Sequence, residues 1–200
     1  MAATRDELVW AAIQRASALI DYNIHNNVDK HHEFKKQTIL ADESLTKDEK
    51  TEGIKELNKA YDYNKLIFNE GTKRICENCQ DECLATLYCE ICIQNYLKAN
   101  FSKWTSGNND IDNLIQKCQE KIYNPQLIIE WIPYNNLKNI KYLTKGGCSE
   151  IYTADWIGGQ YYEWDNEAQQ LKRLGTHEVI LKRLVNVESA NRSWLEEVYI

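Results

Sequence analysis

Two short runs in the middle of the chain constrain it more than any other feature. They are "CENC" at 76–79 and "CEIC" at 89–92, separated by nine residues. A C-x-x-C turn lets both sulfurs point at one centre, and two such turns supply a closed tetrahedron of thiolates, the donor set of structural zinc. Four thiolates leave no open position for water, which argues against catalysis at such a metal. Cys76, Cys79, Cys89 and Cys92 are therefore the expected metal ligands, with Zn as the expected cation. Cys83 is a fifth cysteine that could compete for a ligand place. The other readings are a reduced thiol cluster without metal, or one thioredoxin-like pair. Haem attachment fails, since neither second cysteine is followed by histidine. The intervening loop carries Asp81 and Glu82 and no lysine or arginine, so a nucleic-acid-binding knuckle lacks its electrostatic footprint.

The bulk properties narrow the setting. The chain has 200 residues, 43% hydrophobic and 27% charged, with net charge −6. That length buries a real core in one or two domains, and that balance suits a globular chain. The acidic charge gives no reason to expect nucleic acid or an anionic membrane as partner. "MAATRDELVW" reads as neither a signal peptide nor a transit peptide, and no stretch approaches a membrane span. The expectation is a cytoplasmic, reducing setting, where the seven cysteines are thiols or metal ligands rather than disulfides.

Three regions follow: 1–72, helical; 73–124, the four-cysteine knuckle and a following helix; and 125–200, a strand-rich segment. In the first, Thr4 and Glu7 have capping-box spacing, and Val9, Ile13, Ala16 and Ile20 share one helical face. Asn26 and Asn27 suggest a break. Thr46 and Glu49 repeat the capping-box spacing, Ile54, Leu57, Tyr61 and Phe68 form a stripe, and Gly71 is the expected stop. A helical hairpin or small bundle is predicted, with His25, His31 and His32 as solvated surface residues. Further on, Ile111, Leu114, Ile115 and Cys118 share a face of a helix ending near Pro125, with Cys118 as a small core residue. From Leu127, "LIIEWI", "IKYLT", "SEIYTADW" and "EVILKRL" read as successive strands, and a helix is expected from Ser189.

One turn among those strands carries chemistry. "TKGGCSEI" joins two of them, and a strand–glycine turn–strand unit can cover a nucleotide's phosphates, because glycines let backbone N–H groups approach oxygen. In the kinase pattern G-x-G-x-x-G-x-V, Gly146 matches the central glycine, Thr144 and Ser149 hold the outer glycine places, and Ile151 takes the valine place. About thirty residues on, "VILK" ends at Lys182, and "WLEEV" supplies Glu196 and Glu197. Those two glutamates point about 100° apart on a helix, so only one can face Lys182.

The stretch from about 140 to 200 thus resembles the start of a protein-kinase N-lobe. The wider run through "FNEGTKRICENC", "NYLKANFSKWTSGNNDIDNLI", "EWIPYNNL" and "KGGCSEIYTADW" resembles a kinase-like family expanded in arbuscular mycorrhizal fungi, over roughly 44–200. Its members carry a paired-cysteine knuckle, then an F-x-x-W-T-S-G-N segment, then a kinase domain. The resemblance implies a protein-kinase fold, here an incomplete N-lobe made of an antiparallel sheet and the start of its helix; with the helical hairpin or bundle and the small four-cysteine zinc knuckle read above, the expected fold class is α+β. It implies Mg-ATP as cofactor, with Leu143, Gly146, Gly147, Ile151 and Lys182 around the nucleotide and Glu197 as partner of Lys182. It also implies protein substrates or signalling partners.

The departures are specific. Thr144 and Ser149 replace glycines, Ile180 stands where kinases keep alanine against the adenine, and "IGGQYYEWDNEAQQLKRLGTH" is a long insertion. Its Tyr161, Tyr162 and Trp164 suit either a partner surface or a folded flap. No H-R-D-x-x-x-x-N and no D-F-G occur in these residues, so no catalytic residue is assigned. The expected function is that of a truncated kinase-like protein retaining part of an ATP-binding lobe. The alternative is a non-catalytic zinc-knuckle interaction module.

Overall fold

The computed structural model describes residues 5–147 and 149–184. Thr4, Cys148, the expected helix from Ser189, and Glu196 and Glu197 lie outside the described residues. The architecture is α+β, with a helical N-terminal part followed by small antiparallel sheets.

Three helices open the chain: α1 (Asp6–Ala18), α2 (Val28–Ala41) and α3 (Lys47–Phe68). Ala12, Ile39, Leu45 and Leu57 form their core, and Val9 and Ala16 are also buried. The helices cross closely at Gly53, where a Cβ would lie 3.3 Å from the Ile39 side chain and 3.5 Å from Val9. α3 begins with the capping box expected at Thr46 and Glu49: Glu49 N–H donates to Thr46 Oγ1 (3.3 Å), and Thr46 N–H donates to Glu49 Oε2 (2.8 Å). Glu49 also takes the Arg5 guanidinium (2.7 and 2.9 Å), tying the start of α1 to the start of α3. Those donors hold its carboxyl near 2, Arg5 contributing most.

Several local expectations change. α1 has Arg5 at its N-cap position and no side-chain cap. α3 stops at Phe68, with Asn69 in the left-handed region (φ 49°) as its cap, two residues before Gly71. Asn tolerates that conformation because its short polar side chain bonds locally. The three histidines are half-buried rather than solvated: His32 stacks on Tyr61 with ring centroids 4.1 Å apart.

The knuckle region holds a two-stranded pair, β1 (Arg74–Ile75) with β2 (Glu82–Cys83), then α4 (Glu90–Asn100) and α5 (Asn109–Gln119). α5 ends at Gln119, and Pro125 instead opens a 3-10 turn over Pro125–Leu127. Cys118 is half-buried on α5.

Three strands form an antiparallel sheet in the order β3 (Leu137–Lys145), β4 (Ser149–Trp156), β7 (His177–Leu184). β4 and β7 pair without interruption from Ser149↔Leu184 to Trp156↔His177. Between them the insertion folds into a separate hairpin, β5 (Tyr161–Asp165) with β6 (Gln170–Arg173). It leaves and rejoins the sheet at one close crossing. Gly175 N–H donates to the Gly158 carbonyl (3.0 Å), and a Cβ on Gly159 (φ 64°) would collide with the Gly175 carbonyl and the His177 ring. Only glycine fits there.

"LIIEWI" is not a strand of the sheet. Ile128 is buried in the knuckle core, and the backbone and side chains of this run serve as tethers. The Ile129 carbonyl accepts from Gln119 Nε2 (2.7 Å), while Glu130 accepts from Arg173 Nη2 (2.6 Å) and Tyr161 N–H (3.2 Å). An apolar run reads as a strand by composition, but here side chains satisfy it in place of a ladder. Among the described residues no helix is long and apolar enough to cross a membrane.

α3 also fastens the knuckle. Its buried Asp62 accepts from Thr86 N–H (2.7 Å), Thr86 Oγ1 (2.7 Å) and Leu87 N–H (2.8 Å). Asp62→Ala strands those two backbone donors and should cost about 2–4 kcal/mol in urea unfolding. Asp62→Asn, which keeps one acceptor oxygen, should cost less.

Candidate metal centre and glycine turn

The four expected ligands come together. The sulfurs of Cys76, Cys79, Cys89 and Cys92 all lie within 4.8 Å of one another. Cys76 Sγ and Cys92 Sγ are 3.7 Å apart, as are Cys79 Sγ and Cys89 Sγ. A tetrahedron with Zn–S bonds of about 2.3 Å has edges of about 3.8 Å, so the sulfur spacing fits that ion. It is far beyond a disulfide bond of about 2.0 Å, and all four cysteines are free. The cluster can hold a metal ion.

Each knuckle has a local cause. In the first, Gln80 N–H donates to the Cys76 carbonyl and Cys76 N–H to the Asp81 carbonyl (2.9 Å each), with Gln80 left-handed (φ 61°) to close the turn. In the second, Cys89 is the N-cap of α4, and its sulfur accepts from Cys92 N–H (3.5 Å). That cap turns Cys92 to the same side as Cys89 and aims helix N-terminal donors at the sulfurs, where negative charge is favoured. Asn78 Nδ2 adds a donor to Cys92 Sγ (3.4 Å).

The loop before the second knuckle has no ladder partner, and charged side chains hold it instead. Glu90 accepts from Leu84 N–H (2.6 Å) and Ala85 N–H (3.4 Å). Arg74 donates to the carbonyls of Ala85 (2.8 Å) and Tyr88 (2.5 Å), and Asn166 Nδ2 to that of Leu87 (2.9 Å). With Asp62, these contacts position Cys89.

The thiols are unequal before any cation arrives. Burial pushes Cys79, Cys89 and Cys92 above an ordinary cysteine, whereas at Cys76 burial is opposed by the N–H groups of Cys79 and Asn78 together with the Cys89 and Cys79 sulfurs, and the thiol is pulled down. Cys83, on β2, stays outside the set of four. Its sulfur lies within 4.8 Å of Cys89 Sγ and a Glu90 oxygen.

The insertion hairpin packs against this centre. Trp164 and Leu171 share a core with Cys76, Cys83, Cys89, Cys92, Ile93 and Leu97. The insertion is thus a folded flap, and its Trp164 is interior, 5% exposed. A cavity of about 580 Å³ runs between hairpin and knuckle and reaches Cys76, Cys89 and Cys92. The anchors Asp62, Glu130 and Arg173 carried no sequence signal, because each acts on backbone or charge far along the chain. Trp164 stood out only as part of an aromatic cluster.

The glycine turn lies at the far end of the sheet. Gly146 N–H donates to the Ser149 carbonyl (2.8 Å). Neither Gly146 nor Gly147 has a positive φ, and a Cβ on Gly147 would meet nothing within 4 Å. Among the described residues, neither conformation nor packing demands these glycines. Ile151 pairs with Thr144 on one side and Lys182 on the other, in one row across the sheet. The next row on the same face, two residues along β4 and β7, is Lys141, Thr153 and Ile180. Directly opposed residues share a face, so Ile151, Ile180 and Lys182 face the same way. Ile180 is 61% exposed and Leu143 57%, Leu143 sitting at an irregularity between β3 and β4. Lys182 is exposed; Glu197, its expected partner, is outside the described residues.

Comparison with known proteins returned no matching family model, no matching curated protein and no matching solved structure.

Because three ligand thiols are held protonated by burial near neutral pH, a cation must expel protons to bind. Its affinity should rise with pH, roughly a thousandfold per unit above pH 7, where three protons are released, and more steeply below, where Cys76 (pulled down to about 7) is protonated too. Titrating the metal-free protein between pH 6 and 8 checks the slope. Chelation should also free the hairpin and red-shift tryptophan emission, a change that Trp164→Phe should remove.

Proposed function

We propose that this chain is a zinc-centred scaffold presenting part of a protein-kinase-like nucleotide lobe, and that it positions the phosphates of ATP. Zinc is the cation that four thiolates at tetrahedral spacing favour, and a closed set of four cysteines assigns it a structural role. The nucleotide half of the reading rests on one observation. The β4–β7 register sets Lys182 directly opposite Ile151, two residues along β4 from the glycine turn. A lysine there neutralises phosphate oxygens, Gly146, whose own N–H is held by the Ser149 carbonyl, shapes the turn so that the Gly147 N–H can approach them, and Leu143, Ile151 and Ile180 give the base an apolar surface. Glu197 is assigned as the carboxylate that orients Lys182, by resemblance. Magnesium would accompany ATP, yet its usual D-F-G and H-R-D-loop ligands do not occur in these residues. The role assigned to these residues is phosphate positioning.

A second reading is a zinc-knuckle interaction module with no nucleotide. It is favoured by Ile67, Phe68 and Ile75, which leave more than half their surface exposed at the end of α3 and on β1.

Purified protein should contain one zinc per chain by elemental analysis. Calorimetry with Mg-ATP should detect binding, and Lys182→Ala should weaken it by roughly tenfold to a hundredfold, the loss of a charge-assisted contact. Unchanged affinity in that variant sinks the phosphate assignment. Zinc without any ATP affinity selects the second reading.

A further inference from the structure

We propose that Cys89 and Cys83 form a peroxide-reactive modification site, in which oxidation of the ligand thiolate is resolved by the neighbouring free thiol and zinc is released. The proposal rests on the zinc reading given above. Three observations carry it. The cavity between knuckle and hairpin reaches the sulfurs' residues from outside, lined by Cys76, Cys89 and Cys92, and its size admits a small oxidant. Cys83 and Cys89 are equally buried, but only Cys89 lines that cavity, so an oxidant entering by it meets Cys89 and not Cys83. Its sulfur nevertheless lies within 4.8 Å of Cys89 Sγ, near enough for a modest side-chain movement to close the bond.

The other ligands lack this arrangement, since each of their close sulfur neighbours is itself a ligand. A ligand sulfur has its electron pairs drawn to the cation, while Cys83 is uncommitted. Cys83 also sits on β2 and Cys89 at the start of α4, so the bridge would link two elements already packed in one core.

The chemistry balances with hydrogen peroxide as oxidant. The Cys89 thiolate attacks one peroxide oxygen, the O–O bond breaks, and hydroxide leaves, giving Cys89 sulfenic acid. The Cys83 sulfur then attacks the Cys89 sulfur, and the S–O bond breaks as water leaves with the Cys83 proton. Two thiol sulfurs lose two electrons and peroxide gains them. Zinc, left with three thiolates, dissociates to a chelator. Reduction by a dithiol restores both cysteines and the site.

The experiment treats the full chain with hydrogen peroxide, after zinc content has been measured, in the presence of a chromogenic zinc chelator. Disulfides are then mapped by mass spectrometry of a non-reducing digest. The expected result is release of one zinc per chain, a Cys83–Cys89 disulfide, and full recovery of zinc binding after dithiothreitol. In Cys83→Ser, Cys89 should run on to sulfinic acid and recovery should be lost. Disulfides confined to Cys76, Cys79, Cys89 and Cys92 overturn the proposal, as does full recovery in Cys83→Ser. Should that variant not fold, the map of the unaltered sequence decides alone. Zinc content before oxidation tests the metal reading; disulfide connectivity tests this one.

Discussion

Four cysteine sulfurs crowded within 4.8 Å are the constraint from which the rest of the structure follows. As thiols they are weak donors that satisfy one another poorly; as thiolates they repel. A cation turns that liability into cross-linking, since it ties residues from both sides of a nine-residue loop to one point. The core around it is small and drawn from distant parts of the chain: the knuckles, α4, Ile128 and the Trp164–Leu171 hairpin. Such a core gains little from apolar area alone, and a metal held by the four cysteines would supply what area does not.

Around the cluster, buried and half-buried charges replace a backbone ladder. The loop 84–88 carries donors and acceptors that no strand satisfies, and Asp62, Glu90 and Arg74 take them up. Charge-assisted bonds of this kind are stronger than neutral ones, and they fix the loop in a single register. Asp62 has a further consequence. It stands on α3, so the same bonds that shape the knuckle also join it to the N-terminal bundle.

The insertion hairpin joins the metal centre to the sheet. Its body packs beside the cysteines, while its two ends continue into β4 and β7, the strands bearing Ile151 and Lys182. Arg173 bridges the junction. It donates to the Gly159 carbonyl (2.5 Å), pairs with Glu130 and lies 4.0 Å over the Tyr161 ring. The residues that interrupt the sheet in sequence are thereby the ones that connect it to the knuckle core.

Features with a short physical range were legible in the sequence. The four-cysteine set is read from spacing because each C-x-x-C is one turn, and the Thr46–Glu49 box because capping acts across three residues. Alternation announced the strands near 140–144, 149–156 and 178–184. What depended on distant partners was not legible. "LIIEWI" has strand composition, yet Glu130 and Ile128 dock it onto the hairpin and the knuckle core. α3 ends at Asn69 rather than Gly71 because asparagine, too, occupies the left-handed region. Whether Trp164 faced solvent or core turned on where the hairpin packed, which no local pattern encodes. The sequence by itself determined the ligands and most of the elements; the tertiary structure decided which elements share a core, because burial and long-range hydrogen bonds are settled only when the segments meet.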